Sequence, residues 1–251
     1  MRLRLLRHDR VDSTSERAFA ALAAGPARHG DLFVARSQSA GRGRRGRTWH
    51  SPEGEGLYAS LVLLPGPPPL SPVALTFAGG LAMLDAARAL FRAAERRDPG
   101  LRLVWPNDLV AGEAKLAGVL VETRGLDPQS PHYVVGLGLD VRQTSFPPEL
   151  LAERRVTSLA LLGVELEVET ALEALLAPLA ARFEAVRRDP ARLAHDWLEA
   201  TGLAGARVEV EHEGQSSRAT LDALDQEELR LVSGSERIAI PLERVQGLRR
   251  L

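Results

Sequence analysis

Residues 101–122, LRLVWPNDLVAGEAKLAGVLVE, and residues 133–141, YVVGLGLDV, decide the fold. They hold three short apolar runs, 101–105, 116–122 and 133–141, each punctuated by Pro, Asp or Gly. Runs of that length predict strands of one sheet, because buried helices need roughly ten or more residues. Asn107 and Asp108 follow the first run and begin a turn, where both are common for local hydrogen-bonding reasons alone. Lys115 heads the second run, a place where a charge can guard an edge strand. Gly118, Gly136 and Gly138 remove side chains from otherwise apolar strands, which fits either the close approach of something flat or a bulge.

Working outward, residues 13–24 (STSERAFAALAA) predict a helix, with Ser13 and Glu16 at capping-box spacing and Gly25-Pro26 as the stop. A short β-rich run covers 32–35, and 57–64 predicts a strand ended by prolines. Residues 72–95, 167–187 and 191–200 predict helices. After Gly205 four runs, RVEVEHE, RATLDAL, ELRLVSG and RIAIPL, alternate apolar and polar residues at spacings near ten, the pattern of a small β-barrel. Strand and helix do not alternate regularly enough for a doubly wound parallel sheet. The expectation is a mixed α+β domain over 1–204 and a barrel over 205–251.

The chain has 251 residues, of which 45% are hydrophobic and 26% charged, enough to bury a sizeable core. A net charge of -1 gives no basic field that would advertise nucleic acid or a membrane surface. The absence of cysteine excludes disulfides, thiolate metal sites and a cysteine nucleophile, and the six histidines show no metal-ligand spacing. The N-terminus lacks a signal-like apolar core and no apolar run reaches membrane-span length, so a cytoplasmic protein is expected. Among 32 basic residues only Lys115 is lysine, and Asn107 is the only asparagine. Arginine replaces lysine on most solvated surfaces but not where a compact ammonium is required, so two singletons eight positions apart hint at a site.

The segment Gln38–Trp49, QSAGRGRRGRTW, is a glycine- and arginine-rich loop. Its GRGRRG satisfies G-x-G-x-x-G, but no helix follows and arginines stand where a backbone must approach a pyrophosphate, so the dinucleotide reading fails. No Gly-Lys-Ser/Thr exists either, which rules out a Walker A loop. What remains is an anion-gripping loop: glycines free the backbone, guanidinium forks bind carboxylate or phosphate bidentately, and Trp49 covers a ring. A solvated or RNA-gripping loop is the alternative, which the near-neutral charge and 4% aromatic content do not favour.

Taken together, Ser13-Thr14 at a helix start, GRGRRGRTW, WPND followed seven residues after its Asp by KLAG, and GLGLD before a C-terminal β region resemble a biotin protein ligase over essentially the whole chain. The resemblance implies the fold related to the class II aminoacyl-tRNA synthetase core with an SH3-like barrel behind it. It implies biotin and MgATP as substrates, biotinyl-5′-AMP as intermediate, and transfer to one lysine of a biotin carboxyl carrier domain. By motif, Ser13, Thr14, Ser15 and Gln38 would meet the polar biotin head, and Gly118, Gly136 and Leu137 would line its slot. Gly41, Arg42, Gly43 and Arg44 would form the loop over carboxylate and phosphate. Lys115, with Arg44, would contact the reacting groups. Trp49, Asn107, Asp108, Gly138 and Asp140 would lie at the nucleotide end, with Mg²⁺ arriving on the nucleotide and no protein metal ligand expected.

The sequence departs from the family pattern at three places: Ser15 and Asp140 stand where Asn is usual, and Val104 where Lys is usual. Family members that repress transcription carry a winged-helix domain ahead of the Ser-Thr motif. Only twelve residues precede Ser13, so the monofunctional type without DNA binding is expected. An exposed sheet edge would allow a homodimer or docking of the carrier by strand pairing. Lipoate–protein ligation is the competing specificity, although its expected arginine-glycine motif and His-Asp pair are not evident. An arginine-loop RNA-binding or regulatory module is the competing class.

Overall fold

A computed structural model describes residues 1–124 and 131–251. The first sheet has seven strands in the order β1-β2-β3-β7-β6-β5-β4. They are β1 (Arg4–Val11), β2 (Asp31–Gln38), β3 (Gly56–Leu63), β4 (Leu101–Val104), β5 (Asp108–Ala111), β6 (Ala114–Thr123) and β7 (Tyr133–Asp140). Only β1 and β2 pair in parallel; the other neighbours are antiparallel. The three apolar runs therefore belong to one sheet, as expected.

Helix α1 (Thr14–Ala24) follows β1, and α2 (Pro72–Ala93) follows β3. A short α3 (Pro148–Glu153), then α4 (Val168–Arg188) and α5 (Pro190–Thr201), complete the helices. Pro72 opens α2 behind the Ser71 hydroxyl, which accepts from Ala74 N–H at 3.4 Å. The helix lies close on the sheet because Gly79 has no side chain: a Cβ there would stand 2.8 Å from Val119. Alternation divides the sheet's two faces. Leu57, Leu61, Val119, Val135, Leu137 and Leu139 join the main core beneath α2, whereas Val62 and Val134 join a small second cluster with Phe19 of α1 and Phe33. Gly118, Gly136, Gly138 and Asp140 share this second face, and that is where the cavity lies.

By length and composition α2 would be apolar enough to cross a membrane, which amends the expectation that no run reaches that length; 72% of its apolar window is buried inside the molecule. Strand β1, charged and without clear alternation, was not legible locally; pairing to β2 and the Arg4–Asp31 ion pair at 2.6 Å hold it. Strand β5 occupies what reads as a turn, and α3 was not expected. The start of α1 departs from its capping box: Ser13 is the N-cap residue, but its side chain makes no cap bond. Glu16 instead pairs with Arg42 and Arg124.

The C-terminal region forms a second antiparallel sheet in the order β11-β10-β9-β8-β12. Its strands are β8 (Arg207–His212), β9 (Gln215–Leu224), β10 (Glu228–Ser233), β11 (Glu236–Pro241) and β12 (Val245–Arg250). Five strands stand where four were read, and among the described residues no pairing joins β11 to β12, so the sheet is open. Val208, Leu221 and Leu231 continue the same apolar cluster that contains Trp197 of α5.

Candidate active site

The register of β3, β6 and β7 builds the floor. Ser60, Gly136 and Leu120 lie in one cross-strand row, and Tyr58, Gly138 and Gly118 in the next. Above this floor is a cavity of about 520 Å³. Every residue given a binding or catalytic role from the sequence lines it except Gly41. Gly41 acts through its backbone: its carbonyl accepts from Trp49 N–H at 2.9 Å, and a Cβ there would stand 2.4 Å from the Trp49 carbonyl oxygen.

One end of the cavity is a hydroxyl and amide cluster at the start of α1. Gln38 Oε1 accepts from Thr14 N–H at 2.9 Å and from Thr14 Oγ1 at 3.1 Å, and Gln38 Nε2 donates to Ser51 Oγ at 2.9 Å. Ser60 Oγ sits 2.8 Å from Thr14 Oγ1 and 3.0 Å from Ser15 Oγ. The residues at 13–15 are buried, so such hydroxyls must satisfy one another or a ligand. Ser60 was missed from the sequence; its signal was a hydroxyl inside the apolar strand 57–64.

The loop over the cavity is a tight hairpin rather than an open strap: Arg42 bridges to Thr48, and Gly43 N–H donates to the Arg47 carbonyl at 2.8 Å. Arg42 was read as a carboxylate and phosphate grip, yet here Glu16 and Glu122 both hold its guanidinium. Arg44 Nη1 reaches Asn107 Oδ1 at 3.3 Å, and Asn107 Nδ2 donates to the Val119 carbonyl at 2.7 Å. Burial and the neighbouring Arg45 lower the Arg44 pKa. Trp49 lies flat on the glycine floor: a Cβ on Gly138 would fall 2.5 Å from its ring, and one on Gly118 3.1 Å.

At the centre, Lys115 Nζ donates to Asp108 Oδ1 at 2.6 Å and lies 5.2 Å from the centre of the Trp49 ring. Burial pushes the Lys115 pKa down, and Asp108 works against that shift. Arg154 stands 3.9 Å from Asp108 and lines the cavity with Phe146 and Leu150; nothing local in the sequence marked these three. Asp140 is buried, which pushes its carboxyl well above the usual range, and Gln143 Nε2 donates to its Oδ1 at 2.8 Å. Gln246 of β12 also lines the cavity, so the second sheet reaches the site. A wider recess of about 1000 Å³ adjoins it, lined by Lys115, Asp108 and Arg154 on one side and Arg249 and Arg250 on the other.

A cavity floored by glycine on a mixed sheet, polar at one end and cationic at its centre, suits a small acidic ligand. The profile of the Biotin/lipoate A/B protein ligase family matches residues 8–140, and the chain belongs to that family. It is 34% identical over 204 residues to the biotin--[acetyl-CoA-carboxylase] ligase of Mycobacterium tuberculosis, covering 80% of this chain and 72% of that one. It is 32% identical over 174 residues to the bifunctional ligase/repressor BirA of Escherichia coli, covering 69% of this chain and 51% of that one. With BirA and several similar relatives the match thus spans about half of their length. Among solved structures, the biotin protein ligase from Aquifex aeolicus in complex with biotin and ATP superposes with a TM-score of 0.74 at 26% identity, covering 98% of this chain and 99% of that one.

Proposed function

We propose that this protein is a biotin protein ligase. It activates biotin with ATP to biotinyl-5′-AMP and passes the biotinyl group to a specific lysine of a biotin carboxyl carrier domain, as in acetyl-CoA carboxylase. The observation that carries this reading is the joining of GRGRRGRTW, WPND and Lys115, distant in sequence, around one glycine-floored cavity. The hydroxyl and amide end, Ser13, Thr14, Ser15 and Gln38, suits a ureido ring, with Gly118, Gly136 and Leu137 along its slot. The biotin carboxylate then points to Lys115 and Arg44, and the adenylate lies toward Trp49, Asn107, Asp108, Gly138 and Asp140.

A carboxylate and a triphosphate repel each other, so the first step requires alignment and charge neutralisation more than covalent help. The carboxylate oxygen attacks the α-phosphorus and pyrophosphate leaves, with the Lys115 ammonium and the Arg44 guanidinium beside the developing charge. Mg²⁺ on the triphosphate supplies further neutralisation. Among the described residues no group of three His, Asp or Glu side chains gathers, and the ion would come with the nucleotide. Asp140 departs from the usual Asn in being ionisable more than in shape, and burial pushes its carboxyl pKa up. In the second step the carrier lysine attacks the acyl carbonyl, an amide forms and AMP leaves, under the loop that keeps water out.

The chain divides in this reading into a catalytic domain over 1–204, related to the class II aminoacyl-tRNA synthetase core, and an SH3-like domain over 205–251. In this reading it works in the cytoplasm, and its sheet edges suit carrier docking or a homodimer. Biotin-dependent exchange of labelled pyrophosphate into ATP, followed by transfer to a carrier peptide, tests the reading. Exchange driven by lipoate instead of biotin would select the competing specificity, and no exchange with either acid would reject ligase activity.

A further inference from the structure

The chain has a single lysine, Lys115, and it lies in the cavity where the proposed acyl-adenylate forms. Its Nζ is held over the floor, 3.1 Å from where a Cβ on Gly118 would be, and its side chain is only 13% exposed. An activated carbonyl bound beside a primary amine is a hazard: the enzyme could acylate itself and lose the cation it needs. The attack requires a neutral amine, because an ammonium has no free electron pair.

We propose that Asp108, by gripping the Lys115 ammonium at 2.6 Å, prevents this lysine from attacking the acyl-adenylate and so protects the enzyme from acylating itself. The avoided step is a balanced one. A neutral Nζ attacks the acyl carbonyl carbon, a C–N bond forms, the bond to the phosphate oxygen breaks with its electron pair leaving on AMP, and the extra proton passes to water. The groups facing Lys115 divide in sign. Asp108 from β5 and Asp140 from β7 favour its charged form, while burial and Arg154, just after α3, oppose it. Trp49 from the loop presents its ring face to the ammonium. Asp108 is the one carboxylate among the described residues within ion-pair reach, and so the group whose loss frees the amine. This role goes beyond placing Asp108 at the nucleotide end, and it rests on the ligase reading.

The test uses the full-length protein and chemically prepared biotinyl-5′-AMP, so that a variant defective in activation is still presented with the intermediate. Wild type, Asp108→Asn, Asp108→Glu and Asp108→Asn/Lys115→Arg are incubated with it across pH 6.5–9, then analysed as intact mass and by peptide mapping, with thermal melting as the check on folding. The expected result is one biotinyl group at Lys115 in Asp108→Asn, at least tenfold over wild type, with a rate rising by about tenfold per pH unit while the lysine is mostly protonated. Asp108→Glu restores protection and the double variant is unlabelled. Binding of the adenylate to wild type, read by calorimetry, tests the ligase reading by itself, and its failure overturns both ideas. Binding to a folded Asp108→Asn that stays unlabelled, or equal labelling of Lys115 in wild type, overturns the protective role alone. If Asp108→Asn does not fold, Asp108→Ser takes its place, and a folded, adenylate-binding Asp108→Ser that stays unlabelled does so.

Discussion

At the scale of single residues, composition was the most useful guide. In a chain with 31 arginines to one lysine, the survival of Lys115 hinted at a site, and the residue lines the cavity. Lys115→Arg keeps the charge but not the geometry. It is expected to cut adenylate formation tenfold or more, on the order of 1.4 kcal/mol of transition-state stabilisation, measured as pyrophosphate release. Asp140 is the complementary case, an acid whose burial raises its pKa, faced by Lys115, Tyr58 and Gln143. A raised carboxyl is neutral below its pKa and gains charge as pH rises through it, next to an incoming nucleotide. The KM for ATP is therefore expected to climb at high pH in wild type and to stay flatter in Asp140→Asn, with similar values for the two at low pH. Ser60 shows the limit of this scale: its hydroxyl became meaningful only when the fold set it between Thr14 and Ser15.

At the scale of elements, local pattern and long-range pairing contributed differently. The helices α1, α2, α4 and α5 and the strands β3, β6 and β7 were legible, the helices from apolar pattern and end signals and the strands as short apolar runs closed by Pro, Asp or Gly. Strand β1 was not, because its stability comes from the parallel ladder to β2, and β5 was not, because its four residues begin at Asp108, where Asn107 and Asp108 read as a turn. The glycines of β6 and β7 were read as room for something flat, and Trp49 of the protein's own loop lies there. The loop read as anion-gripping is tethered at two points, by Arg42 to Glu16 and Glu122 and by Arg44 to Asn107. Arg44→Gly is expected to loosen this cover and release activated biotin, observed as at least severalfold faster labelling of a bystander protein. Unchanged bystander labelling with undiminished affinity for the adenylate would remove the lid role from this loop.

At the scale of the whole molecule, one apolar cluster runs from the first sheet through α2, α4 and α5 to the second sheet, stitched by ion pairs. Arg182 of α4 joins Asp85 of α2 at 2.8 Å and Asp196 of α5 at 2.6 Å, all three mostly shielded. Burial alone would raise the Asp196 pKa, but hydrogen bonds from Arg182 and Arg192 outweigh it and hold the carboxyl below its usual value. The stability linked to this group is present above the unfolded pKa of about 4 and is lost as pH falls through the lower folded value. Arg182→Met is expected to cost about 1–3 kcal/mol at neutral pH by urea unfolding, and to weaken the acid-side loss of stability. The helices were readable in the sequence but these ion pairs were not, since Arg182, Asp85 and Asp196 are ordinary helix-surface residues until three helices pack. What the scaffold does is hold the arginine loop and the Lys115 strand around one space. A crystal structure with a non-hydrolysable biotinyl-adenylate analogue tests that claim most directly. The account expects the acyl-phosphate linkage between Lys115 and Arg44, with the ring system toward Gln38 and the base toward Asp140. An analogue bound elsewhere, with those two side chains remote from its phosphate, would contradict it.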